Sequence, residues 1–498
     1  MLAATGLLFS CSATLAYSPY AFGELETTPF TKIEKDGYYR MGQYGTLAAK
    51  DVPSFSPTLD TVYSFGTKRH LIPSTGEQKL HVIPVAFTDY DGTGVSPDYK
   101  IQIEQAFFGD GSFNQYESLA SFYDKSSLHR LHLTGTVSDA YTSPLSLATL
   151  STKKTAKDTK IALSDIYRGA VTWYNQQNYE DTLKVGDAVY FVYLAPYAED
   201  ASSRSSMLWA FTINDPGPVS WSSYFMMHPR ENKAVDAHTF IHEFGHMLGL
   251  VDYYDQTSYT DPAQISPMGR MDMMDCSLGE HNVFSKMLLN WTRPYIPTGE
   301  ATIALRPSTG NGDCILLPLA SYNDTPFDEY VLLELYTPTY LNYADSALRS
   351  DPGMSLMKDV GIRAYHIDAR LGIFADRGGT FSSLLTPETP ILGKNVDFHA
   401  DNAGSAVKSG RGGYLIQCLD ASSSSGKLTP YYVASDHEQD VAYGSLTAHL
   451  KDSLFRKGQG IDASFRDLTF HDGLKLTHGF RVEKLTSTGA EIAVFPLN

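Results

Sequence analysis

Two unbroken apolar runs stand out in the first half of the chain, Leu80–Phe87 (LHVIPVAF) and Ala188–Ala195 (AVYFVYLA). The first predicts a buried strand entering a core, and the second a strand in the middle of a sheet. Around them the apolar spacing lengthens to that of helices. Residues 117–128 (ESLASFYDKSSL) predict a helix, followed by a strand at 131–137 (LHLTGTV). Residues 159–176 place Ile161, Ile166, Ala170, Val171 and Tyr174 on one helical face. Strands alternating with helices through about residue 290 predict an α/β domain.

After Pro294 the helical period fades. Short strand-like runs follow at Ala301–Leu305, Cys314–Leu317, Tyr330–Tyr336, Ile362–Ile367, Tyr414–Leu419 and Glu491–Phe495, separated by turns such as Ser422–Gly426. This half reads as a β-rich, sandwich-like region. The expected division is an N-terminal extension or pro-segment at 17–75, an α/β domain at 76–297 and a β-rich region at 298–498. No internal repeat of 20–50 residues is present.

The first residues carry no charge. Leu2–Ala16 are apolar or small, and Thr14 and Ala16 suit cleavage after Ala16, so residues 1–16 are expected to be a signal peptide. The basic flank is missing, since the first Lys or Arg is Lys32; a truncated start would account for that. Leu8-Phe9-Ser10-Cys11 loosely resembles a lipoprotein processing site, which makes a lipid anchor on Cys11 at the cell surface the alternative to plain secretion. No later stretch reaches 18 apolar residues, so no transmembrane segment is expected after the signal.

The 498 residues have a formal net charge of −17, without a Lys/Arg run, which argues against a nucleic-acid partner. Four cysteines are present: Cys11, Cys276, Cys314 and Cys418. Three outside the leader do not make a dense disulfide framework, and Cys314 with Cys418 is the one bridge considered. None lies between Cys11 and Cys276, so a pro-segment thiol cannot cap a metal.

The sharpest chemistry lies in Val235–Tyr254, VDAHTFIHEFGHMLGLVDYY. His242 and His246 are four apart, on one face of a helix, where both can hold one zinc ion. Glu243 is turned about 100° away by the helical period, toward the water rather than the metal, the position of a general base. Gly249 suits a left-handed turn that ends the helix, and three residues on Asp252 can return as third ligand. The pattern His-Glu-x-x-His-x-x-Gly-x-x-Asp arises by chance in roughly one chain in 10⁴, by multiplying residue frequencies. Three protein ligands leave a fourth position for water, as in catalytic zinc sites. A carboxylate ligand leaves the site less positive than three histidines would, so activity is expected to peak at neutral to mildly alkaline pH. His238, one turn earlier, reads as a supporting or surface residue. Met273 or Met274 reads as an apolar floor beneath the metal.

These segments resemble the immune inhibitor A family of secreted bacterial metallopeptidases. HEFGHMLGLVDYYD (242–255) is similar to its zinc helix and turn. DMMDCSLGEHNVFSKMLLNW (272–291) resembles its methionine segment and the SK…W helix after it. YESLASFYDKSSLHRLHLTGTV (116–137) and GIRAYHIDAR (361–370) extend the likeness over roughly residues 75–380. One departure is Val251, where members often carry Pro. The resemblance implies a zincin-like catalytic domain, zinc on His242, His246 and Asp252, Glu243 as base, secretion, and endopeptidase action on protein or peptide substrates. It also implies structural calcium, for which Asp89, Asp91, Asp255, Asp272 and Asp275 are candidates without forming a complete loop pattern. Tyr253, Tyr254 and His281 are the candidates for steadying the oxyanion. The rival reading is a non-catalytic or very narrow-specificity surface binding or adhesion protein on the same scaffold.

Overall fold

The computed structural model describes residues 30–497, apart from 31, 65–68, 112–115, 152–155, 197–209, 215–216, 228–234, 255–264, 270, 349–354, 376–379, 403–412, 420, 422–430, 433–453 and 464–469. The expected leader, Cys11, Asp255 and the Ser422–Gly426 turn lie outside the described residues.

The described chain opens with a hairpin, β1 (Ile33–Lys35) and β2 (Tyr38–Arg40). The first sheet then follows from β3 (Gly76–Ala86), β4 (Leu131–Val137), β5 (Val189–Tyr193), β6 (Phe211–Asn214) and β7 (Pro218–Ser223), in the order β4-β3-β5-β7-β6. All its pairs are parallel except the last, in which β6 runs antiparallel to β7 at the edge. The central strand β5 shows why its sequence is continuously apolar. Val189, Phe191 and Tyr193 pack on one face with Ile166, Ala170 and Tyr174 of helix Ala156–Tyr174, while Tyr190 and Val192 enter the core on the other. That second face is covered by α1 (Tyr99–Phe108), α2 (Leu119–Ser126) and α3 (His238–Met247).

The second half builds a larger sheet. Strands β8 (Tyr295–Pro297), β9 (Cys314–Pro318), β10 (Glu329–Tyr336), β11 (Gly361–Asp368) and β12 (Ile416–Cys418) lie in sequence order, with the N-terminal hairpin added beside β8. Leu454–Phe455 also pairs with β11. A four-stranded sheet of Ala301–Leu305, Gly489–Pro496, His478–Thr486 and Gly460–Ile461 packs against one face through Val331, Leu333, Leu335, Ile362 and Ala364. Their neighbours Tyr330, Leu332, Tyr336, Tyr365 and Ile367 face the other way and join the core of the first half. The period of two therefore makes β10 and β11 a shared wall, apolar on both sides.

Part of the stretch expected as an N-terminal extension or pro-segment packs with the framework: β2 pairs with β8, and Leu59, Val62 and Tyr63 are buried in the same core as the helix α3. That core also runs without a break across the boundary expected at 297/298. The cysteines correct one expectation: the Cys314–Cys418 bridge is not formed. Cys314 lies on β9 and Cys418 on β12, three strand spacings apart across one sheet. At about 4.8 Å per strand that is roughly 14 Å, beyond the reach of a disulfide.

A candidate metal centre

Helix α3 is fixed in rotation by its inner face. Phe240, Ile241, Phe244 and Met247 are fully buried, and Phe240 stacks on Phe107 of α1 with ring centroids 5.0 Å apart. Tyr123 of α2 donates its hydroxyl to the Ile241 carbonyl at 2.7 Å. With that face held, His242 and His246 project together at the border of the core, their centroids 4.9 Å apart and planes at 88°.

The residue between them also has a packing reason. A Cβ on Gly245 would stand 2.5 Å from the Met274 sulfur, so glycine lets the methionine lie directly against the helix. Met273, its neighbour, places its carbonyl 2.7 Å from Nδ1 of His242. Of the two methionines, then, Met274 supplies the apolar packing and Met273 a backbone acceptor.

The helix ends in a Schellman turn. The Gly249 N–H donates to His246 O and the Leu250 N–H reaches back to Gly245 O, both at 3.0 Å. Gly249 sits at φ +99°, where a side chain is strained, and a Cβ there would meet Leu71 Cδ1 at 2.8 Å. The reversal carries Asp252 back, so that its Oδ1 lies 3.2 Å from Nε2 of His242 and 3.2 Å from Nε2 of His246.

The hydrogen bonds settle which imidazole nitrogens face inward. His242 Nδ1 meets the Met273 carbonyl, and His246 Nδ1 meets Leu250 O at 2.8 Å. A carbonyl only accepts, so each Nδ1 carries a proton and donates it. In the neutral rings each Nε2 therefore offers a lone pair toward the Asp252 oxygen. Three acceptors converging on one point call for a cation among them. Donors on a tetrahedral zinc ion with bonds of about 2.0–2.1 Å lie roughly 3.3 Å apart, so the 3.2 Å spacing fits the group.

Electrostatics point the same way. Burial works against a charged His246, yet the Asp252 carboxylate beside it pushes its pKa up to about 9. Asp252 is held well below the usual carboxylate range, against its own burial, by His246 and His242. The pocket favours positive charge, which a divalent ion would supply. The His246 and Asp252 side chains remain 19% and 20% exposed, so the cluster opens to solvent on one side.

Glu243 is buried beside this cluster. Its Oε2 accepts from the Thr212 hydroxyl of β6 at 2.8 Å, and that hydroxyl is itself 2.7 Å from Ser220 Oγ of β7. Burial raises the Glu243 pKa, while His246, His242 and the Thr212 bond oppose the rise. A carboxylate whose pKa is moved toward neutrality is suited to proton transfer. Thr212 carries no signal in the sequence; only the strand pairing brings it under the helix.

The remaining candidates are placed as follows. His238 is buried away from the cluster, between Asp236 (Nδ1–Oδ1 2.5 Å) and Asp345 (Nε2–Oδ2 3.0 Å), and stacked on Tyr116. Tyr253 is fully buried, with its hydroxyl 2.7 Å from Ser285 Oγ. His281 is buried among Phe122, Tyr123 and Trp291, and burial drives its pKa well down. Neither can meet a substrate from there. Tyr254 is half-buried. Of the calcium candidates, Asp89 accepts from the N–H groups of Leu147 and Ala148, Asp91 from Thr93, and Asp272 from Met274 and Asn282. They cap turns and helix starts, and among the described residues none, nor Asp275, joins a three-residue metal-binding group. No helix among the described residues is long and apolar enough to cross a membrane.

Compared with models of known protein families and with curated proteins, the sequence matches none.

Proposed function

We propose that the chain is a secreted zinc-dependent endopeptidase, an α/β zincin with a β-rich second half, resembling the immune inhibitor A metallopeptidases. The observation that carries the reading is the convergence of His242 Nε2, His246 Nε2 and Asp252 Oδ1 at zinc-like spacing, with Glu243 buried beside them on the same helix. Zinc bound there would supply Lewis acidity to a scissile carbonyl and acidify the attacking water. Glu243 takes the proton of that water as it attacks and hands it to the leaving amine. The Thr212 hydroxyl holds the Glu243 carboxylate in position for both transfers.

A peptide substrate suits the surroundings. Among the described residues β6 is the end strand of its sheet, and it lies along α3, with Thr212 reaching Glu243 and Asn214 Nδ2 reaching His246 O at 3.3 Å. An extended peptide laid against such an edge gains main-chain hydrogen bonds and passes close to the cluster.

The test is hydrolysis of casein or gelatin by the full chain, before and after chelation, and again after zinc is returned. The wild type should cleave, lose activity to the chelator and regain it. Glu243→Gln should keep the wild-type metal content and lose about 10²–10⁴-fold in rate. Zinc bound without hydrolysis of any protein would favour the binding or adhesion reading, and proteolysis surviving in Glu243→Gln would refute the assignment of the base.

A further inference from the structure

A second group of metal-donor side chains lies on the opposite face of the large sheet. Along β10 and β11 the residues facing the four-stranded sheet are apolar until the strand ends, where Glu329, His366 and Asp368 continue the same face. Two histidines from distant segments meet them there: His399, which follows strand Asn395–Phe398, and His471, which opens the short turn His471–Gly473. Asp368, His399 and His471 each offer a ligand atom within 4.8 Å of the others.

The contacts account for all but one of these groups. Glu329 Oε1 lies 2.9 Å from His366 Nε2 and 3.2 Å from His471 Nδ1, and that His471 nitrogen is 3.4 Å from Asp368 Oδ2. Arg370 meets Asp368 through Nε at 2.8 Å and Nη2 at 3.1 Å. His399 is only 7% exposed, yet its Nδ1 is buried with no hydrogen-bond partner among the described residues. A plain ion-pair network explains Glu329, His366 and His471 but leaves that nitrogen over, and such orphans are unfavourable in an interior. Two carboxylates against one guanidinium leave the cluster at −1 with neutral histidines, so a cation is welcome despite Arg370.

We propose that Asp368, His399 and His471 bind a divalent cation of the zinc type, with Glu329 orienting His471 beside it. Two imidazoles and a carboxylate match zinc or cobalt, whereas calcium and magnesium take oxygen donors throughout. Donors from three separate segments of the chain make it a structural site. It clips the β10–β11 pair to the loop after Phe398 and to the turn that leads into the C-terminal hairpin of His478–Thr486 and Gly489–Pro496. The backbone is already arranged for this: the His399 N–H is held by Arg370 O at 2.7 Å and the His471 N–H by Glu329 Oε2 at 3.2 Å.

The test is Co²⁺ titration of the chelator-stripped full chain, followed by absorbance and equilibrium dialysis. His242→Ala/His246→Ala should still bind one equivalent, and adding His399→Ala should abolish it. Saturating metal should raise the Tm of His242→Ala/His246→Ala by several degrees, a gain absent once His399 is replaced. No Co²⁺ bound by folded His242→Ala/His246→Ala, or binding unchanged by His399→Ala, would overturn the proposal. Should the variants fail to fold, anomalous scattering from cobalt-soaked wild-type crystals decides: a peak among Asp368, His399 and His471 supports the site and its absence rejects it. The outcome is separate from that of the first centre, because a wild type binding a single equivalent that His399→Ala removes would uphold this site while denying the other.

Discussion

In the proposed reaction the proton moves through Glu243, which Thr212 holds in place. The Thr212 hydroxyl bonds Oε2 of Glu243 and holds down a pKa that burial would otherwise raise further. Thr212→Val keeps the shape and removes the donor. The acid limb of the kcat/KM profile should then move to higher pH, because the base is active only when deprotonated, and kcat/KM near pH 6–7 should fall about 10-fold, the scale of one hydrogen bond to a charged group. Metal content should stay at the wild-type level. A pH profile superimposing on the wild type would remove Thr212 from the mechanism. At this scale the motif made His242, His246, Asp252 and Glu243 legible, since ligand spacing on a helix is a local property. Thr212 and the orphaned His399 were not legible, because each acquires its meaning from segments far away in the chain.

At the scale of the element, the helix and its C-terminal turn act as one device. Gly249 is there because φ of +99° and the closeness of Leu71 exclude a side chain. Gly249→Ala should cost roughly 1–3 kcal/mol of stability through the strained backbone alone. It should also loosen Asp252, so that the affinity for zinc falls together with the Tm. Denaturant unfolding with and without zinc checks both, and a variant as stable and as tightly metallated as the wild type would show that the turn does not position the ligand. The sequence placed this turn correctly from one glycine. It also placed strands where the structure has Ala301–Leu305, Glu329–Tyr336 and Gly361–Asp368, because their apolar patterns are unambiguous. The hairpin at Ile33–Arg40 escaped, being too short and too polar to stand out before its partner at Tyr295–Pro297 is known.

Over the whole molecule, charge is buried in organised groups, and His238 lies in one of them. Desolvation opposes its protonation, but Asp345 and Asp236 raise its pKa to about 9. A histidine with a folded value above the unfolded one near 6.5 gives stability that is complete below pH 6.5 and is lost as the pH rises through 9. The contribution is at most ~3 kcal/mol from a shift of that size. Asp345→Asn removes the larger carboxylate effect, so the stability gap between wild type and variant should narrow between pH 6 and 9.5. Urea unfolding across that range measures it, and a gap constant with pH would show that His238 is not charged in the native protein. Helix α3, the described N-terminal residues and the large sheet share one core, so such a loss would be felt by the molecule as a unit.

Local matters were readable from residue order alone: which stretches are strands or helices, which residues make the His-Glu-x-x-His-x-x-Gly-x-x-Asp pattern, and where the helix must turn. Each depends on the chemistry and spacing of residues near one another in the chain. Long-range packing alone shows that Ile33–Arg40, Leu59, Val62 and Tyr63 join the framework, that Cys314 and Cys418 stand three strands apart, and that Thr212 lies under Glu243. It alone brought Asp368, His399 and His471 together behind the sheet. Strand order and the packing of layers set those distances, and neither is written in the spacing of any single segment.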